Sequence, residues 1–147
     1  MAAYRASGAE IFLPYLLLLK AVAQLENSQT VEAALELVKE ALLIANRTGE
    51  RCFEAELYRL RGECLLYLPS QNRAEPEASF VRALDVARRQ AAKLWELRAA
   101  SSLARLWQNS GKCNEARELL APVYGWFTEG FDTADLKDAK SLLDQLG

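Results

Sequence analysis

A chain of 147 residues that is 51% hydrophobic and 26% charged has material for one globular domain and is too apolar for a disordered segment. Its net charge of −2 argues against a sequence-independent nucleic-acid surface, which needs concentrated Lys and Arg. It has no histidine, which removes His-based triads, His metal ligands and the usual general base near neutral pH.

In chain order, "AYRASG" comes first. The longest apolar run is "IFLPYLLLL", Ile11 to Leu19. It is about half the length of a bilayer span and meets Lys20, so no membrane partner is expected. No basic n-region or cleavage site marks a secretory signal. "PYLLLLKAVAQLEN" reads as a helix opened by Pro14, which suits a first helical turn. "TVEAALELVKEALLIANR" follows, with Thr30 as a potential N-cap and Gly49 as its stop. Val31, Ala34, Leu35, Val38, Leu42 and Ala45 keep helical spacing.

"CFEAELYRLRGECLLYL" is the third helix, ended by "PSQN". "EPEASFVRALDVARRQ" is the fourth, with Pro76 near its start. "LWELRAASSLARLWQNSG" is the fifth, stopped by Gly111. "NEARELLAPVYGWF" is the sixth, where Pro122 removes a backbone donor and predicts a kink. "ADLKDAKSLLDQL" is the seventh. No segment has the period-2 alternation of a strand. The expected fold class is all-α: about seven antiparallel helices stacked in a superhelix.

The chain repeats itself at an offset of 42 residues. Ala41, Leu42, Ala45, Arg47 and Glu54 recur as Ala83, Leu84, Ala87, Arg89 and Glu96. Ile44 is matched by Val86, Arg51 by Lys93, Phe53 by Trp95 and Gly62 by Ala104. Ala3 and Arg5 fall in the same register. Residues 1–8 therefore read as the remnant of a preceding repeat, which points to a fragment or a trimmed frame. The single domain, 1–147, divides into repeats at 14–49, 51–91 and 93–128, with a capping helix at 132–147.

Within each pair the pattern resembles the tetratricopeptide repeat, in a unit longer than usual. The residues that carry it are Val22, Ala34, Val38 and Ala41 in the first unit. They are Gly62, Phe80 and Ala83 in the second, and Ala104, Gly111, Ala116, Leu120 and Val123 in the third. Small side chains let helices approach, and large ones fill the groove beside them. "FEAELYRLRGE", "SFVRALDVARRQ", "WELRAASSLARLW" and "LLAPVYGWFTEGFDTADLKDAKSLLDQL" resemble the C-terminal repeat tails of bacterial multidomain signalling ATPases and adenylate or guanylate cyclases. The chain has no GxxxxGK[ST] phosphate loop, so the resemblance implies a regulatory or sensor tail and not an enzyme. It implies no cofactor.

Several stretches bear on chemistry. Cys52, Cys64 and Cys113 lack metal or redox spacing and read as thiols in a reducing cytoplasm. Cys113 follows Lys112 near a helix start, a setting that can activate a thiol; a tolerated surface cysteine is the simpler reading. The basic runs "VARRQ" and "RAASSLARLW" come with acids, and no nucleic-acid partner is expected. "GWFTEGFDT" reads either as a ligand loop or as the place where the sixth helix ends at Gly130 and Asp132 starts the seventh. On the second reading Tyr124, Trp126, Phe127 and Phe131 pack the last helix across the end of the stack.

The expected partner surface is the groove lined by the first helix of each pair. The second unit offers Glu56, Arg59, Glu63, Leu66 and Tyr67. The third offers Arg98, Ser101, Arg105, Gln108 and Asn109. Mixed charge beside an aromatic suits a peptide, a neighbouring helix or upstream domains of the same polypeptide; a solvated face is the alternative. In the first unit these positions are Leu16, Leu19 and Ala23. Tyr15, Leu16, Leu18, Leu19 and Val22 then present one apolar face too many. Either a homodimer forms through Tyr15, Leu16 and Leu19, or residues 1–12 fold back over them. A protein-interaction scaffold is the leading expectation, and a small-molecule (inducer) sensor is the alternative.

Overall fold

The computed structural model describes residues 13–26, 30–49, 51–69 and 73–147. Among them are seven α-helices and no strand. The helices are α1 (Leu13–Glu26), α2 (Val31–Thr48), α3 (Glu54–Tyr67), α4 (Ala74–Arg89), α5 (Lys93–Asn109), α6 (Cys113–Gly125) and α7 (Ala134–Leu146). The expected remnant at 1–8 and the expected cover at 1–12 lie outside the described residues.

Each helix packs on the next, and α1 touches α3, α3 touches α5 and α5 touches α7. The even helices α2, α4 and α6 make no comparable contact with one another. The odd helices therefore form one layer, and the even helices back it. Short connections return the chain between neighbours, as antiparallel pairs require.

The core is a string of clusters rather than one mass. Leu13, Leu17, Ala21, Val38, Ala41, Leu57 and Leu60 pack at the amino-terminal end. Phe80, Ala83, Leu97, Leu103, Ala104, Leu120, Leu136 and Leu142 pack at the carboxy-terminal end. Alanine and glycine sit where helices meet: Ala41, Ala83, Ala100, Ala104 and Ala116 are all fully buried. α1 hides Leu13, Pro14, Leu17, Leu18 and Ala21. Two sequence expectations change here. Leu18, expected on the open face, is buried at 5% exposure. The small residue at the first crossing is Ala21, buried at 1%; Val22 instead points outward.

The 42-residue register survives in three dimensions. Ala41 and Ala83, Ile44 and Val86, and Ala45 and Ala87 are buried alike. So are Glu54 and Glu96, at 5% and 7% exposure. Each of these acids pairs with the base three residues before it: Arg51–Glu54 at 3.2 Å and Lys93–Glu96 at 3.6 Å. The turns match too. Gly49 ends α2 at φ 76°, with its N–H on the Ala45 carbonyl. Ala91, its counterpart, has φ 54°.

Helix starts depart from expectation. Thr30 precedes α2, but its hydroxyl donates to the Gln24 carbonyl at 2.7 Å, which ties α2 back to α1. The residue before α7 is Thr133, not Asp132, and its hydroxyl donates to the Gly130 carbonyl. Pro122 lies inside α6, which ends at Gly125. Leu136, Ala139, Leu142 and Leu146 bury α7 against α5 and α6. Of the four aromatics beside it, Tyr124 and Phe127 pack on the core. Trp126 and Phe131 stay 57% and 46% exposed.

Candidate functional site

Because α1, α3, α5 and α7 lie side by side, their outward residues share one face. On it Glu56, Arg59, Arg98, Ser101, Ser102, Arg105, Asp135 and Asp138, with Val22, line a cleft of about 310 Å³. Arg98, Arg105 and Asp138 keep 35%, 42% and 54% of their side chains in solvent, so the cleft is open along its outer lip.

A ladder of charge pairs crosses the cleft from α3 to α7. Glu56 is the pivot and is only 4% exposed. It accepts from Arg59 one turn along its own helix, Nε at 3.0 Å, and from Arg98 on α5 at 3.4 Å. Arg98 also donates to Asp135 on α7 at 2.9 Å. Arg105, two turns on, pairs with Asp138. Ser102 donates to Glu63 at 2.8 Å, and Arg59 reaches the same carboxylate at 3.5 Å. Burial works against the Arg59 charge, but the hydrogen bond to Glu56 and the charges of Glu56, Glu63 and Asp135 outweigh it. Its pKa is raised, and it stays a cation. No buried side-chain polar atom among the described residues lacks a partner.

Beside the cleft, Val22, Leu25, Glu26, Arg59, Leu60, Glu63 and Tyr67 line a second hollow of about 290 Å³. Val22 and Arg59 belong to both.

The residues expected from the sequence separate as follows. Glu56, Arg59, Arg98, Ser101 and Arg105 converge on the cleft, and Glu63 and Tyr67 on the neighbouring hollow. Gln108 lies further along and donates to Gln145 on α7 at 3.3 Å. Asn109 ends α5, exposed, and lines neither. Leu16 and Leu19 line neither hollow; Val22 takes that role from α1. Of the self-association face, Tyr15 is 38% exposed and stacks on Phe53 at 4.8 Å, Leu19 is 49% exposed, and Leu16 is half-buried.

Asp135 and Asp138 were not expected in the groove. They fall three residues apart at the start of a helix, which reads first as capping chemistry. Their i, i+3 spacing puts both on one face of α7, but that this face meets Arg98 and Arg105 follows from the packing of α7 on α5 and not from the spacing. Cys113 is exposed at the first residue of α6, away from these groups. No group of His, Cys, Asp and Glu among the described residues is arranged to hold a metal ion. No helix among them is long and apolar enough to cross a membrane.

No protein-family model matches the chain, and no curated protein sequence is significantly similar to it.

Proposed function

We propose that the chain is a tetratricopeptide-like superhelical module that binds an extended protein segment along its odd-helix face, as the regulatory tail of a larger signalling ATPase or cyclase. One observation carries the binding reading: α3, α5 and α7 each send charged side chains into a single open cleft, bordered by α1. A peptide laid across it meets hydrogen-bond donors and acceptors from successive helices, which is how an extended chain is held in register. The repeat register and the odd-helix layer support the superhelical reading.

An inducer sensor calls for an enclosed and mainly apolar pocket. The cleft is open and lined by charge, which favours a peptide over a small apolar ligand. Its carboxylates are held by arginines, an arrangement suited to binding rather than to proton transfer.

The test is to pan a display library of random peptides against the chain, with Arg98→Glu plus Arg105→Glu as the counter-selected variant. Peptides that enrich on the parent and not on the variant are expected. Equal enrichment on both, or none on either, rejects the cleft as a peptide site. The tail assignment is tested by the upstream reading frame, where absence of both a phosphate loop and a cyclase domain rejects it.

A further inference from the structure

We infer that the segment bound on this face is basic and apolar: it sets an aliphatic or aromatic side chain between Val22, Leu60 and Tyr67, and a lysine or arginine against Glu26. This rests on the peptide reading above and fixes the chemistry of the partner.

The first support is continuity. Val22 and Arg59 line both the cleft and the second hollow. A segment lying along the face meets a polar and then a partly apolar seat without leaving it. Val22 and Tyr67, at 36% and 60% exposure, keep apolar surface in water that an anchor side chain would cover.

The second support is the sign of the charge. The two hollows are lined by five carboxylates, those of Glu26, Glu56, Glu63, Asp135 and Asp138, and by three guanidinium groups. Each guanidinium already holds a carboxylate: Arg59 has Glu56 and Glu63, Arg98 has Glu56 and Asp135, and Arg105 has Asp138. Glu26 is exposed, and no cation pairs with it among the described residues. An acidic ligand would have to displace a fixed carboxylate and add to an existing excess. A basic one neutralises that excess. The exposed Tyr67 ring lines the same hollow as Glu26 and offers a cation bound there a second attraction, since a ring face draws positive charge.

The experiment uses the full chain and fluorescein-labelled peptides of two designs, one alternating leucine with lysine and one alternating leucine with glutamate, read by anisotropy. The lysine peptide should bind the parent. Its affinity should fall about fivefold in Glu26→Lys and again in Tyr67→Ala, as expected for a lost exposed charge contact and a lost exposed ring contact. Both positions are exposed, so the fold is not at stake. Glu36→Lys on α2 makes the same change in net charge at a site 72% exposed and away from this face, and it should leave affinity within about twofold. The inference is overturned if Glu36→Lys weakens binding as much as Glu26→Lys. It is also overturned, with the peptide reading left standing, if the glutamate peptide binds more tightly and depends on Arg98 and Arg105. Binding of neither peptide, together with no enrichment in panning, overturns both.

Discussion

Gly62 has no side chain because the ring of Phe80 stands where one would be. A Cβ added at Gly62 would lie 2.5 Å from Cε1, 2.7 Å from Cδ1 and 2.9 Å from Cζ of Phe80. The ring is fully buried, so it has nowhere to go. Gly62→Ala should therefore overpack the α3–α4 crossing and cost about 1–3 kcal/mol, even though alanine is the better helix former by about 1 kcal/mol. Combining it with Phe80→Leu should reverse the sign, with Gly62→Ala neutral or stabilising in that background. Urea melts of the four proteins decide it; the same cost in both backgrounds would sink the packing account.

Ala91 offers the opposite experiment. It occupies the left-handed turn that Gly49 occupies 42 residues earlier, but with a Cβ. That conformation costs an L-residue about 1–2 kcal/mol, against about 0.4–1 kcal/mol for the extra unfolded-state freedom of glycine. Ala91→Gly should raise stability by about 0.5–1 kcal/mol. A lower denaturation midpoint at unchanged slope would show that the turn is not strained.

Glu56 should be costly to strand. It is a buried carboxylate held by Arg59 and Arg98. Arg59→Met leaves it with Arg98 alone, and the expected loss is about 3 kcal/mol, the low end for a broken buried pair. Removing the acid as well, in Glu56→Leu with Arg59→Met, should recover much of that loss. A double-mutant cycle by chemical denaturation measures the coupling. Additive single-variant losses would mean that the two groups do not depend on each other.

The three thiols should differ. Cys52 and Cys113 are exposed and Cys64 is buried. Burial pushes the Cys64 thiol up to about 11, and the neighbouring Glu63 charge adds to it. Two thiols should react quickly with a disulfide reagent in the folded protein, and the third only on unfolding. The folded pKa lies above the ordinary 9.0. The stability from keeping this thiol neutral is therefore fully present below about pH 9 and is lost as pH rises towards 11. Cys64→Ala should flatten that part of the stability curve; an unchanged curve would reject the assignment.

Helix positions were largely legible because Gly49, Gly111 and the spacing of Val31, Ala34, Leu35 and Val38 are local signals. The paired burial of Glu54 and Glu96 follows from the repeat, which copies packing along with sequence. What stayed hidden was between helices. Nothing local to Asp135 says that it faces Arg98 rather than its own backbone. The choice of Ala21 over Val22 at the first crossing is a rotation of one residue, about 100° around a helix. Periodicity alone does not resolve that when α1 is apolar nearly all round.

Among the described residues, every substantial packing interface joins helices that are adjacent in sequence or one apart. None of these seven helices has to wait for a distant one before it can dock. Topology of this kind belongs to fast-folding proteins, in the microsecond to millisecond range. It also suits synthesis from one end, where the chain emerges at about 5–20 residues per second. The α1–α2 and α3–α4 pairs can settle while α7 is still being made. Asp135 and Asp138 reach Arg98 and Arg105 after the other groups of the cleft are in place, so the cleft is complete only once α7 has been made.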